Sequence, residues 1–252
     1  MKHWIILVTI FTLLPASADI LKNYKQLSSD QLSSNKSSNK QSYDQRILIN
    51  KKWGLIATIV QISKRAPIRF KLQDAPTRKE NDNVLHYWDK NKHTIIVNGA
   101  YFDKNFSPVG YYKINDEVIN KTLSPTLSGI VGISKFGKIS LLKKQELAQN
   151  KHLPTLMQAG PYIIDPNGKP GIRHNNFKRY QRTVIAKTKS GDTLFVSTAP
   201  ISLYDLSRAL KEELPNIERA LNLDGGPSSA LVTSKTTIQN RMPVRNYLIG
   251  FN

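Results

Sequence analysis

The sequence contains no cysteine, which excludes a disulfide framework, a cysteine-ligated metal centre and a lipoprotein anchor. Acidic residues are scarce, 18 against 37 lysines and arginines, leaving a net charge of +19. Such an excess disfavours cationic partners and attracts anionic ones over long range. Histidines number five and are scattered, so the paired histidines of a basic nuclease are missing. Neither an EF-hand loop nor an HExxH helix is present. The apolar run Trp4–Leu14 is too short for a comfortable membrane span.

That run has a different meaning. Lys2 precedes it and Ala16-Ser17-Ala18 follows, which is the pattern of a secretory signal peptide over residues 1–18. The expected mature chain is exported, periplasmic or secreted, with no stable membrane anchor. Residues 19–46 read as a flexible linker. Within them Gln-Leu-Ser-Ser and Ser-Ser-Asn-Lys each occur twice, and almost nothing there can be buried. A single folded domain is expected over residues 47–252.

Within that domain, strand patterns dominate. Gly54–Ile62 is rich in β-branched residues, and Ile68–Leu72 alternates apolar and basic as a half-exposed partner. Asn83–Asn91 suggests a short helix, and Thr94–Asn98 an apolar strand. Ile130–Leu142 and Thr183–Thr198 read as hairpins turning at Phe136-Gly137-Lys138 and Lys189–Asp192. Thr155–Asp165 is another strand region. One helix is clear: Ser202 caps it with Asp205 three residues on, Leu203, Leu206, Leu210 and Leu214 share a face, and Pro215 ends it. Many strands and few helices predict an α+β domain with a mixed, largely antiparallel sheet and a few packed helices.

Four segments carry candidate chemistry. In Ala220–Ser229 an apolar strand ends in Asp224, followed by Gly225-Gly226-Pro227-Ser228-Ser229. That offers a fixed acid beside backbone amides able to cradle an anion, although Asp-Gly is also ordinary turn chemistry. Ile95–Asp103 repeats the design, with Asn98 and Gly99 at a strand end and Tyr101, Phe102 and Asp103 beyond. Arg182 opens a strand beside Thr183, and arginine grips phosphate through a fixed fork of donors. Gln158–Ile164, with Gly160-Pro161, reads as a bulge in a strand. The run Arg173–Gly191 is basic and free of acids, a pattern that is usually a solvated face.

These segments, in this order and with the capped helix before the last, resemble the phosphodiester glycosidase family. Asp224-Gly225-Gly226 matches its Asp-Gly-Gly, Arg182-Thr183 its Arg-Thr, and Asn98-Gly99 its strand-end asparagine. Pro227 stands where the family often has a third glycine, and it removes one amide from any cradle. The resemblance implies hydrolysis of the bond between a sugar's anomeric carbon and a phosphodiester.

A phosphate leaving group needs little acid assistance, so positive charge can replace part of the usual second carboxyl. On this reading Asp224 serves the anomeric carbon and Arg182 holds the phosphate. Gly225, Gly226 and Ser228 cradle the phosphate with Thr183 nearby, and Asn98 with Gly99 orients the sugar. Asp103 is the candidate second carboxylate, and His174 a possible proton donor. No cofactor is firmly implied, and a divalent cation at Asp224 stays open. The expected partner is a sugar phosphodiester or anionic glycan, with no nucleic acid. Two alternatives remain: a non-catalytic module binding anionic glycan or wall polymer, and a phosphodiesterase cleaving P–O.

Overall fold

The computed structural model describes residues 42–77 and 83–252; the expected signal peptide and most of the linker fall outside them. In chain order the strands are β1 (Asp44–Asn50), β2 (Leu55–Ile62), β3 (Arg69–Asp74), β4 (His93–Asn98), β5 (Tyr112–Ile114), β6 (Glu117–Asn120), β7 (Gly129–Ile133) and β8 (Ile139–Lys143). Then follow β9 (Thr155–Ala159), β10 (Tyr162–Ile164), β11 (Thr183–Thr188), β12 (Thr193–Thr198), β13 (Ile217–Asn222), β14 (Leu231–Val232), β15 (Thr237–Ile238) and β16 (Asn246–Phe251). The α-helices are the single turn α1 (Leu147–Asn150) and α2 (Leu203–Glu213).

Three sheets result, ordered β1-β2-β12-β11-β13-β10, β15-β14-β4-β16-β3 and β6-β5-β9-β7-β8. Every ladder among the described residues is antiparallel. The domain is therefore more β-rich than the expected α+β class, and its sheets are not mixed. Short turns join β1 to β2, β5 to β6, β7 to β8, β11 to β12 and β14 to β15, while α2 carries the chain from β12 to β13 on the far side of β11.

The sheets enclose one core to which each contributes: Val60, Ile185, Phe195 and Leu221 from the first, Phe70, Ile95, Val97 and Leu248 from the second, Tyr112, Val131 and Met157 from the third. The first sheet is covered on its other face as well. There Ala57, Ile59, Val184 and Ala220 meet Leu206 and Leu210 of α2. A strand buried on both faces reads as a continuous apolar run, which is why β2, β11 and β12 are legible. Ser202 caps α2 by accepting from the Asp205 amide at 3.0 Å, worth about 1 kcal/mol. Burying Leu206 and Leu210 contributes about 1.5–3 kcal/mol each, so packing on the sheet stabilises this helix more than its cap does.

Three local expectations change. First, β3 pairs with β16 instead of β2, because β2 is already flanked by β1 and β12. Second, the run Thr155–Asp165 is two strands in different sheets, broken at Gly160, whose φ of +147° suits glycine. A Cβ there would lie 2.7 Å from the Ser128 amide. Third, the domain reaches back beyond Ile47. Asp44, Gln45 and Arg46, counted above with the linker, pair with Gln61, Val60 and Ile59. Gln45 is buried and hydrogen-bonded to Thr233 and Thr236, so its polarity conceals a core position.

Candidate active site

The sheets are joined at a seam of strand ends. The Asp224 amide donates to the Gly99 carbonyl at 3.0 Å, tying the end of β13 to the end of β4. Leu223 donates to Thr183 at the start of β11, and Gly99 to Asn246 at the start of β16. Gly160, just after β9, donates to Asn222 at 3.0 Å. Four of the segments singled out in the sequence therefore meet here.

Asn98 is the hub of this seam. It is fully buried. Its Nδ2 donates to the Asp224 carbonyl at 2.8 Å, and its Oδ1 accepts from Thr183 Oγ1 at 2.7 Å and the Ala230 amide at 2.9 Å. The amide expected to orient a sugar is thus committed to the protein, as is the Thr183 hydroxyl. Both act by fixing the Asp224 turn. Gly99 has an equally local reason: a Cβ would sit 1.9 Å from Asn246 Oδ1, the acceptor for the Ala100 amide.

Asp224 emerges partly buried from this frame. Its Oδ1 accepts from the Gly225 amide at 2.8 Å. Burial raises its pKa above the usual aspartate value, opposed by hydrogen bonds from the Ser228 side chain and the Gly225 amide. Gly225 presses on the neighbouring strand; a Cβ would lie 2.8 Å from the Gln181 carbonyl and 3.8 Å from Arg182 Cα. Gly226 has a φ of +61° and nothing within 4 Å of where its Cβ would be. That side of the turn is open space.

The expected backbone cradle is not offered. The Gly226 amide donates to Gln181 at 2.7 Å, Ser228 to Gly225 and Ser229 to Gly226, while the Gly225 amide serves Asp224. A turn this tight satisfies its own donors. Asp103 also differs from expectation. It is exposed, and its Oδ1 accepts from the Asn105 and Ser107 amides at 2.9 Å each. It closes its own turn, as aspartates in loops commonly do.

Arg182 lies against this acid turn. Its Nε donates to the Ile201 carbonyl and a terminal nitrogen to the Lys178 carbonyl, both at 3.2 Å. Its guanidinium carbon is 5.2 Å from the Tyr180 ring centre. No carboxylate among the described residues pairs with it. Burial lowers its pKa, but guanidinium stays protonated in proteins. Tyr101 lies within electrostatic range of both groups. Burial and then the Asp224 charge push its phenol well above the usual value, while Arg182 pulls it down.

Sequence reasoning treated Tyr101 only as a ring face and gave Asn222 no role. The Tyr101 hydroxyl lies 2.9 Å from the Gly160 and Leu223 carbonyls, and Asn222 Nδ2 donates to it. The Asn222 Oδ1 and Ser229 Oγ atoms are buried without a hydrogen-bond partner among the described residues, a costly condition that functional sites tolerate. A polar residue next to a strand-end aspartate was the available signal for Asn222. His174 is exposed, on the loop between β10 and β11. Among the described residues no three His, Asp or Glu side chains group as a metal cage, and no helix is long and apolar enough to cross a membrane.

Residues 91–249 match the sequence profile of the phosphodiester glycosidases. The chain belongs to the phosphodiester glycosidase family. Among solved structures, this family member is similar to the zebrafish N-acetylglucosamine-1-phosphodiester α-N-acetylglucosaminidase catalytic domain auto-inhibited by its pro-peptide. The TM-score is 0.62 at 16% identity, over 87% of this chain and 86% of that one. A hypothetical protein from Synechocystis gives 0.58 at 14% identity, over 83% of this chain and 61% of that one. A Burkholderia pseudomallei protein named as exported gives 0.58 at 12%, over 79% and 74%. At such identities the likeness is one of fold. No curated protein matches the sequence significantly.

Proposed function

We propose that this protein hydrolyses the glycosidic bond of a sugar-1-phosphodiester, releasing the sugar and a phosphate monoester, in an exported setting. The observation that carries the reading is a partly buried Arg182, with no carboxylate partner among the described residues, against the same turn that presents Asp224. A cation taken partly out of water without a counter-ion favours an anionic ligand. Family membership supports this reaction class.

In this mechanism Arg182 binds the phosphodiester and stabilises charge as it builds on the leaving oxygen. Water attacks the anomeric carbon. The C–O bond breaks with its electron pair departing on the phosphate, and ionised Asp224 faces the oxocarbenium-like centre and takes the water proton. Burial makes Asp224 a better base than an exposed aspartate. The open space at Gly226 admits the sugar. Asp103 has no part in this scheme, because its oxygen already holds its own turn.

Hydrolysis in oxygen-18 water tests the reading. Label in the released sugar is expected. Label in the phosphate means P–O cleavage and overturns it. The internally satisfied amides of Gly225–Ser229 favour a second reading, a module that binds anionic glycan without turnover. Tight binding with no reducing sugar released from a panel of sugar-1-phosphodiesters would establish that instead.

A further inference from the structure

The loop that delivers Arg182 has more on it than the site uses. No acid occurs between Asp165 and Asp192. Arg173, His174 and Asn176–Tyr180 are all exposed. Phe177 is 80% exposed and Tyr180 51%. Phe177 also has a φ of +58°, a left-handed conformation that bulky residues rarely adopt. Packing of the ring does not hold this conformation, since the ring buries almost nothing, and strain of this kind clusters at functional segments.

The loop is nonetheless ordered by its own polar groups. The Asn175 Oδ1 accepts from the Phe177 amide at 2.9 Å, and the Asn176 Oδ1 from the Lys178 amide at 3.1 Å. Its base is fixed by reciprocal hydrogen bonds between Tyr180 and Ile201 and by Arg179 donating to the Pro200 carbonyl at 3.1 Å. Arg179 lies 3.7 Å from Asp205, whereas Arg173 and Lys178 have no carboxylate partner among the described residues. Lys178 and Tyr180 both touch Arg182, through the carbonyl and the ring described above. Cations and exposed rings therefore continue outward from the guanidinium assigned to the scissile phosphate.

We infer that this loop binds further repeats of an extended substrate, a glycan polymer linked through phosphodiesters. The inference rests on the reading of Arg182 and Asp224 given above and names the substrate class for that site. One phosphodiester needs one guanidinium. Unpaired charges beyond it suit a ligand in which more anions follow, and exposed rings interleaved with them suit the apolar faces of sugars between those anions.

The test compares two probes on an Asp224→Asn background, so that neither is consumed: an oligomer of several N-acetylglucosamine 1-phosphate repeats, and the methyl phosphodiester of a single unit. Phe177→Asn removes the ring while keeping a residue that tolerates the left-handed backbone. It is expected to weaken oligomer binding about tenfold, on the scale of one lost ring contact, and to leave the single unit unchanged. Phe136→Ser, which removes another exposed ring beside a lysine, should change neither. Equal weakening of both probes, no weakening of the oligomer, an equal effect of Phe136→Ser, or equally Phe177-dependent binding of single-stranded DNA overturns the inference. Turnover by the wild-type protein is a separate reading: its absence sinks the hydrolytic proposal and leaves this comparison intact.

Discussion

The Asn98 side chain donates to the main-chain carbonyl of Asp224 across 126 positions of sequence, at 2.8 Å. The bond makes one strand end the foundation of another, and the candidate acid inherits its position from it. Asn98→Ala removes this donor and leaves the Ala230 amide and the Thr183 hydroxyl without their acceptor. Unsatisfied buried groups cost about 1–3 kcal/mol each, so a loss of roughly 3 kcal/mol in urea unfolding is expected. Any activity should fall even where the variant remains folded.

Asp224→Asn should abolish sugar release. Its effect on stability has the opposite sign. A carboxyl whose folded pKa is raised binds its proton more tightly when folded, so stability is greatest at low pH and declines as pH rises through the folded value. The substituted amide cannot ionise. Thermal melts should therefore show the variant more stable than wild type at pH 7, with the gain vanishing below the unfolded aspartate range near about 4. For the wild type, kcat should fall on acidification from a pH above that range. A variant less stable at neutral pH would mean that burial does not penalise this charge.

Arg182→Ala should lower kcat/KM for a sugar-1-phosphodiester by about a hundredfold or more, the scale of one lost charge-stabilising donor at a reacting oxygen. A neutral aryl glycoside of the same sugar should be affected far less. An equal loss on both substrates would assign Arg182 to the framework, through its bonds to Ile201 and Lys178.

Lys187, on β11, gives a prediction away from the site. Burial lowers its pKa to about 8, with Asp192 and Glu218 opposing and Lys138 reinforcing. Its ammonium donates to Thr193 Oγ1 at 2.7 Å. A lysine depressed on folding holds its proton better unfolded, so its penalty is full below pH 8 and fades toward the unfolded value near about 10.4. Lys187→Met should raise the melting temperature at pH 7 and do so less at pH 10. A constant increment across that range would show packing, not charge, to be the cause.

Legibility varied with how local each cause was. The α2 helix, its Ser202 cap and the two hairpins follow from spacing within a few residues. The β16 strand was missed although it lies inside its sheet: it is six residues long, and Gly250 interrupts its apolar run Tyr247-Leu248-Ile249-Gly250-Phe251. Gly250 is required because a Cβ there would come within 2.7 Å of Ile95, a contact set by a strand pairing far along the chain.

At the site, the residue types were visible and the division of labour was not. Local pattern was enough to say which side chains carry charge, where strands end, and that a carboxylate and a guanidinium each stand at such an end; these follow from hydrophobic periodicity and turn chemistry, which act over short spans. The assembled sheets were needed to show that Asn98 and Thr183 face inward to hold Asp224, that the amides of Gly225, Gly226, Ser228 and Ser229 are taken by protein acceptors, that Asp103 closes a surface loop, and that Arg182 has no counter-ion among the described residues. Each of those outcomes depends on which polar groups meet when the strands pair, and a donor's partner is chosen by distance in space.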